Sequence, residues 1–247
     1  MFLSVIRIVF LLACICPSMT YAAIAIQQSR VIFDGDKLSQ SLLVINQNPH
    51  APYLVHGWIE DEIGKRVQGP LLILPPIQRI EPGENSQIKI QALTAARLLR
   101  QDRETLFYLN LREIPPRVKG GNTLQVALQN RIKVFYRPVG LKNRELASPW
   151  HSQLILTRRD NRWQIANPSP YYITLVDAQI HQKGSQIADF TPLMLAPGSS
   201  EMLPGNISHY GHAPVFTYLN DYGGRPEVTF KCGKERCNVI SNRVPRS

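Results

Sequence analysis

The chain has 247 residues and a formal net charge of +10 at pH 7. Its lysines and arginines are interleaved with apolar residues and form no block of five or six like charges, which is typical of a solvated basic surface. Without a recognisable nucleic-acid motif, binding to DNA or RNA would depend on charge alone. The composition therefore argues against nucleic acid and leaves an acidic or carboxylate-bearing partner open.

The first 22 residues have the pattern of a secretory signal peptide. Arg7 precedes an apolar run of nine residues over 8–16, which is followed by the helix breaker Pro17 and by the small residue Ala22. A membrane-spanning helix needs about 20 apolar residues, so this run is too short to remain as an anchor. We expect cleavage after Ala22, which leaves a soluble chain of 225 residues and, with Arg7 removed, a net charge of +9.

The four cysteines divide between the leader and the C-terminal end. Cys14 in "LLAC" resembles a lipoprotein cleavage box, but it lies inside the apolar run and leaves too little of that run ahead of the cut. Cys232 and Cys237 enclose "GKER", which is too wide for a CxxC redox motif and has no histidines at metal-ligand spacing nearby. In an oxidising compartment this spacing predicts a local disulfide that ties a terminal hairpin and contributes about 2 kcal/mol or less.

Short runs of β-forming residues, such as "YLVHGWIE" and "SQIKI", follow one another from residue 23 to residue 136. They are separated by turns such as "DGD" and "PGEN", and only 94–100 favours a helical turn. Several strands at such spacing predict an antiparallel sandwich or barrel. The Pro-Pro step in "PPIQRIEPG" over 75–83 predicts either a bulge or a cis bond.

The pattern is interrupted once and then begins again. "VGLKNRELASP", after Pro138, lacks alternation, and strand-like runs resume at "SQLILT" and continue to "EVTF". This predicts an all-β fold of two sandwiches of about 100 residues each. We place the signal peptide at 1–22, the first domain at 23–140, the linker at 141–147 and the second domain at 148–247.

The stretch "TLQVALQNRIKVFYRP" over 123–138 reads as one strand that is apolar on one face and carries a lysine and two arginines. Strands in globular proteins run about 5 or 6 residues, so the surplus length needs a use. Leu124, Val126 and Leu128 share the apolar face, whereas Lys133 has the opposite parity. Either a bulge intervenes near 129–131 or the lysine reaches its site from the other face.

No pattern in the chain points to catalysis. Of six histidines only His209 and His212 lie close together, in "HYGH", and no third ligand for a metal can be placed. The sequence contains no GxSxG elbow, no HExxH and no phosphate-binding glycine loop. A binding protein without metal or cofactor is therefore favoured over an enzyme.

Several segments together resemble the periplasmic chaperones of the chaperone/usher pathway, in particular those of P pili. The likeness covers nearly the whole mature chain. It is carried by "LFYLNLREIPP" (106–116), "LQVALQNRIKVFYRP" (124–138), "NDYGGRP" (220–226), "GPLLILPPIQRIEPG" (69–83), "QDRETLFYLN" (101–110) and "NPSPYYIT" (167–174).

The resemblance implies two immunoglobulin-like β-sandwich domains at an angle, with a cleft between them and no catalysis. It implies that the last strand of the first domain is lent to a pilus subunit whose own sandwich lacks a strand, as in strand addition. It also implies delivery of the subunit to an outer-membrane usher and a periplasmic location, without membrane insertion. The short segment "IPPRVKGGNT" is similar to the short-loop subclass that assembles rod-like pili.

The resemblance also assigns roles to the residues of the long strand and the cleft. Leu124, Val126 and Leu128 correspond to the apolar residues that enter the subunit groove, with Val126 smaller than the Leu or Ile expected. Arg30 and Lys133 correspond to the residues that hold the C-terminal carboxylate of the subunit.

Three charged residues correspond to an interdomain ionic cluster in the family. They are Glu104, Arg137 and Asp221, and the resemblance implies that the cluster fixes the angle between the sandwiches. A free chaperone would expose its apolar strand, so we expect shelter either from a self-capping homodimer or from neighbouring loops.

An alternative from another class is a secreted two-domain adhesin or carbohydrate-binding module. In that interpretation the aromatic side chains of Trp58, Trp150 and Trp163 would bind the ligand.

Overall fold

A computed structural model describes residues 23–117, 125–142 and 149–243. Within these ranges the chain is almost entirely β-strand, and its helices are short 3₁₀ segments. They lie at Thr94–Leu98, Val139–Leu141, Trp150–Gln153 and Ile207–Tyr210. In the described part of the chain no helix is long and apolar enough to cross a membrane.

The strands up to residue 137 form the first sandwich. In chain order they are β1 (Ile24–Ile26), β2 (Arg30–Asp34), β3 (Ser39–Asn46), β4 (Tyr53–Glu60), β5 (Arg66–Val67), β6 (Leu71–Leu74), β7 (Ile77–Ile80), β8 (Asn85–Ala92), β9 (Thr105–Ile114) and β10 (Gln129–Arg137).

Two sheets face each other in this sandwich. One has the order β1-β3-β8-β6, and the other has the order β2-β10-β9-β4-β5 with β7 paired to β4. Alternate residues of each strand point inward, and the core that they form includes Phe33, Leu42, Ile59, Leu109 and Val134, each at most 1% exposed. The opposite face of the second sheet carries the polar side chains of the site described below.

The strands after residue 150 form the second sandwich. They are β11 (Ile155–Arg159), β12 (Arg162–Ala166), β13 (Ile173–Gln179), β14 (Leu193–Leu195), β15 (Ser200–Met202), β16 (Val215–Leu219), β17 (Glu227–Cys232) and β18 (Arg236–Arg243).

These eight described strands are joined in one hydrogen-bonded path, β14-β13-β16-β17-β18-β11-β12-β15. Trp163 from one end of the path and Phe216 from the other belong to the same buried cluster, so the sheet folds over on itself. The first domain has a separate cluster of its own. Two cores in one all-β chain confirm the predicted fold class. Leu141, predicted to begin the linker, contributes to the second core, and the domain boundaries themselves stay a prediction.

A disulfide joins Cys232 and Cys237 with an S–S distance of 2.05 Å. The two residues are cross-strand partners where β17 turns into β18. The predicted link therefore closes the terminal hairpin.

The prediction of one strand over 123–138 is too long. The described strand is β10, whereas 125–128 have no regular secondary structure and 123–124 lie outside the described residues. The pairing explains the difference, because β2 begins alongside Lys133 and the last bond from β9 runs from the Glu113 N–H to the Leu128 carbonyl at 3.0 Å. Residues 125–127 have no strand beside them in the described part of the chain. A single strand without hydrogen-bonded neighbours is not stable by itself.

The register of β10 answers the question of parity. Its pairing with β9 is continuous from Gln129 to Tyr136, without a bulge. Ile132 and Val134 face the core, so Lys133 points away from it on the outer face of the sheet. Of the two alternatives for Lys133, the structure has the second.

Two further local predictions, at the Pro-Pro step and at 94–100, agree with the structure. The Leu74–Pro75 bond is cis, one of the two alternatives for the Pro-Pro step, and Gly69–Pro70 is cis as well. The helical turn at 94–100 is the 3₁₀ helix Thr94–Leu98.

Candidate functional site

The two candidate carboxylate ligands are register partners. Arg30 opens β2, Lys133 lies in the middle of β10, and the parallel pairing of these strands sets one beside the other. Both side chains are on the outer face of the sheet and both are half-buried. The fold thus brings together two cations that are 103 positions apart in the sequence.

The surroundings of this pair are poor in counter-charge. Arg30 donates from Nη1 to the Leu219 carbonyl of the second domain at 3.2 Å, and its guanidinium lies 5.9 Å from the centre of the Phe135 ring. Among the described residues, no carboxylate forms an ion pair with either cation. Burial, and then the charge of Arg30, lowers the pKa of the Lys133 ammonium. Burial also lowers the pKa of Arg30, although the more distant Asp221 and Glu104 oppose this. An anion placed between the two groups would be stabilised by both.

The three charged residues assigned to an ionic cluster do meet at the domain boundary. Arg137, at the end of β10, donates from Nε to Glu104 at 2.8 Å and from Nη1 to Asp221 at 2.6 Å. Glu104 also accepts the backbone N–H of Tyr172 at 2.8 Å. Glu104 and Arg137 belong to the first domain while Asp221 and Tyr172 belong to the second, so these bonds cross between the domains.

Burial decides the electrostatics of this cluster. Glu104 is 4% exposed, and the removal of water raises its pKa to about 7 even though Arg137 and the Tyr172 N–H favour the charged form. Burial opposes the charge of Arg137 too, but its bonds to Asp221 and Glu104 prevail and raise its pKa. The Arg137 guanidinium therefore stays charged, whereas Glu104 can gain or lose a proton near neutral pH.

Aromatic rings of the second domain lie beneath the cluster. The Arg137 guanidinium is 5.1 Å from the ring centres of both Trp150 and Tyr171. His151 stacks between Trp150 and Tyr218 at 4.9 and 3.7 Å, and its burial, followed by the charges of Arg30 and Arg137, lowers its pKa to about 3. This imidazole is thus neutral and serves as part of the apolar packing.

The apolar residues predicted to enter a subunit are only partly within the described chain. Val126 is 64% exposed and Leu128 is 45% exposed, so two apolar side chains lie open to solvent directly before β10. Leu124 lies outside the described residues. We call residues 125–128, which precede β10 and have no regular secondary structure, the free segment. Its exposed apolar side chains are followed along the chain by Lys133 in the cleft.

Sequence reasoning missed one residue that controls this segment. The buried carboxylate of Glu113 in β9 accepts the backbone N–H of Leu128 at 3.1 Å and that of Ile24 at 3.2 Å. These bonds fix the point at which the chain leaves the sheet. The alternation of β9 places Glu113 among core positions, and a charge at a core position was the available signal.

The remaining candidates do not form sites in the described structure. His209 is bonded to Asp189 at 3.1 Å, and among the described residues no group of three or more metal-ligating side chains occurs. Trp150 and Trp163 are 3% and 2% exposed, so they are core residues. The adhesin alternative, which needs them at the surface, is wrong on this point.

Known proteins are similar to this chain in sequence and fold. The N-terminal domain model of PapD, described as a pili and flagellar-assembly chaperone, matches residues 23–142. The C-terminal domain model of the pili assembly chaperone PapD matches residues 149–230. The chain belongs to this family of pilus assembly chaperones.

Individual relatives are similar over most of their length. The chaperone protein PapD of Escherichia coli is 41% identical over 219 residues, which cover 88% of this chain and 90% of the relative. The solved structure of the CupB2 chaperone of Pseudomonas aeruginosa is 28% identical with a TM-score of 0.71, over 85% of this chain and 100% of that one. The periplasmic chaperone SfaE is also 28% identical, with a TM-score of 0.68, over 83% of this chain and 98% of that one.

Proposed function

We propose that this protein is a periplasmic chaperone that binds, folds and caps pilus subunits by donor-strand complementation and delivers them to an outer-membrane usher. Residues 124–128 complete the subunit, and Arg30 and Lys133 bind its C-terminal carboxylate. The observation that carries the proposal is the pair of adjacent, half-buried cations, without a carboxylate partner among the described residues, at the end of an exposed apolar segment.

The apolar segment is expected to supply most of the affinity. Each large apolar side chain contributes about 1.5 to 3 kcal/mol on full burial, so three in a groove give roughly 4 to 9 kcal/mol before ordering costs. A charge-assisted hydrogen bond contributes about 1.5 to 3 kcal/mol. Because the apolar side chains contribute more to affinity, we assign the two cations a role other than affinity.

That role is register. A strand can slip along a groove by two residues and keep the correct faces, so the apolar pattern alone does not fix the position of the subunit. A terminal carboxylate held by Arg30 and Lys133 allows only one position. In this proposal Glu104, Arg137 and Asp221 hold the two domains at the angle that keeps the cleft open, and no catalysis is involved.

We place the protein in the periplasm after cleavage behind Ala22. The leader pattern supports export, and the similar SfaE is a periplasmic chaperone.

The test is Lys133→Ala, co-expressed with the fimbrial subunits encoded beside the chaperone gene. We expect subunit co-purification to be lost while circular dichroism stays native, because Lys133 is on the outer face of β10 and not in the core. Lys231→Ala removes an exposed strand lysine of the second domain and serves as the matched control. Undiminished co-purification with Lys133→Ala would overturn the carboxylate role.

A further inference from the structure

A row of side chains crosses the outer face of the first domain's sheet, starting at the cleft. The register partners in this row are Arg30, Lys133, Tyr108, Glu60 and Arg66, one from each of β2, β10, β9, β4 and β5. Cross-strand partners have their side chains on the same face about 5 Å apart. The cleft cations are therefore the first members of a longer polar row.

Arg131 lies next to this row and is held in place from two sides. It is two residues before Lys133 on β10, and its guanidinium sits 3.5 Å from the centre of the Tyr108 ring. Its Nε donates to Glu60 at 3.2 Å. The other oxygen of Glu60 accepts the indole N–H of Trp58 at 2.9 Å. These contacts position the guanidinium, while 43% of the Arg131 side chain stays exposed and open to a partner.

A second group of cations and rings continues the face beyond Glu60. The Arg66 guanidinium is 5.6 Å from the Trp58 ring centre and 3.3 Å from the His56 imidazole. Burial, and then the charges of Arg66 and Arg112, lowers the pKa of His56, so this ring is neutral at pH 7. Three arginines, Arg131, Arg66 and Arg112, thus share this outer face with the Glu60 carboxylate.

This surface has the composition of a protein contact and has no cover in the described structure. Trp, Tyr and Arg are the residues enriched at the energetic centres of interfaces. The second domain covers the neighbouring part of the sheet, where Phe135 meets Tyr172 at 5.4 Å. At its edge the Tyr172 hydroxyl donates to Glu62 at 3.3 Å. The hydrogen bonds and ring contacts of Arg131 and Trp58 in the described structure are instead to residues of the first domain.

The position of Arg131 identifies the occupant. It lies on the chain between Leu128, which would enter the subunit groove, and Lys133, which would bind the subunit's last carboxylate. A subunit that contacts both Leu128 and Lys133 must also extend past Arg131. The excess of positive charge then selects carboxylates on the part of the subunit that faces the sheet.

We infer that this face, centred on Arg131 with Arg66 behind it, is a second contact for the pilus subunit and selects subunits with Asp or Glu side chains beside their terminal strand. The inference rests on the proposed function and adds to it a means of choosing among subunits. In the proposed function an apolar groove and a terminal carboxylate are common to all such subunits, so selection among subunits has to come from other surface residues, here the acidic ones.

The test compares Arg131→Gln and Arg66→Gln with wild type in binding the adjacent-gene subunit, refolded from denaturant and followed by biolayer interferometry. We expect Arg131→Gln to weaken binding about 5- to 20-fold in low salt, with a smaller loss near 0.5 M salt, because exposed charges are screened. Arg100→Gln makes the same charge change at an exposed arginine that also bonds a carboxylate, Asp102, and should bind like wild type. Mutating the subunit's acidic residues to Gln should remove the difference between Arg131→Gln and wild type.

Three results are decisive. If Arg131→Gln and Arg66→Gln both bind like wild type while Lys133→Ala does not bind, this inference is wrong and the proposed function stands. If Lys133→Ala also binds normally, the proposed function itself fails. If Arg131→Gln leaves subunit binding intact but loses the usher, the face belongs to another partner and the inference is again overturned.

Discussion

At the scale of single residues, Glu104 shows how the fold changes the chemistry of a side chain. Its carboxylate has a guanidinium and a backbone N–H within 2.8 Å, yet burial raises its pKa from 4.5 to about 7. The folded protein therefore binds a proton, between about pH 4.5 and pH 7, that the unfolded chain releases. The contribution of this proton to stability is complete below about pH 4.5 and is lost as the pH rises through about 7.

The prediction is that Glu104→Gln flattens the pH dependence of stability. Wild type should lose about 1 to 3 kcal/mol of unfolding free energy between about pH 5 and pH 8 through this group, since one pKa unit corresponds to about 1.36 kcal/mol. The amide does not titrate, so the variant should lose less over this range. Urea unfolding at both pH values measures the difference, with the exposed Glu201→Gln as control. A variant slope equal to that of wild type would contradict this assignment.

The residues of the cleft could be nominated from the sequence only through resemblance. Arg30 and Lys133 are ordinary surface charges by composition, and their proximity follows from the parallel pairing of β2 with β10, which no local pattern predicts. Trp58 and Tyr108 likewise could be assigned to the proposed contact surface only when the register of β4, β9 and β10 was known. Long-range register is a property of the whole sheet, and this limits residue-level prediction.

At the scale of elements, local alternation was a good guide where a strand has one buried face. The run "YLVHGWIE" is β4 without a residue of difference, and "SQIKI" lies within β8. The predicted strand over 123–138 was too long because alternation does not say whether a partner strand is present. The expected terminal hairpin implied a strand after Cys237, but no strand-like run was identified there, although "RCNVISNR" forms the eight residues of β18.

The free segment before β10 yields a prediction about binding. Leu128 is 45% exposed, so Leu128→Asp should leave the fold intact. In a complex the same position would lose about 1.5 to 3 kcal/mol of apolar burial and would bury a charge, so affinity for the subunit should fall at least about tenfold. Leu98→Asp, at a position 88% exposed elsewhere in the first domain, is the control. Equal affinities of the two variants would argue against strand donation.

At the scale of the whole molecule, the contact between the domains combines an ionic cluster with aromatic rings packed against it. Arg137 bonds to Asp221 across the boundary and lies over Trp150 and Tyr171. Truncating one partner of a buried ion pair costs more than the pair contributes, because the remaining charge is left unpaired. Loss of either partner would therefore destabilise the domain contact, in keeping with the proposed fixed angle between the sandwiches.

The free protein is expected to self-associate through its exposed strand segment. The described neighbours of Val126 and Leu128 leave these side chains 64% and 45% exposed, and an apolar edge without cover favours pairing with a second copy. Sedimentation velocity over a range of concentrations should show a dimer that Leu128→Asp weakens. Wild type that stays strictly monomeric at high concentration would contradict a self-capping dimer.

The central claim is that the backbone of residues 124–128 becomes part of another protein. Hydrogen exchange, measured on the chaperone alone and on its purified complex with the adjacent-gene subunit, tests this most directly. In the free chaperone we expect fast exchange at the amides of residues 125–127, and in the complex we expect strong protection there. Protection confined to other parts of the chain, with 125–127 exchanging as fast in the complex as in the free protein, would contradict the claim.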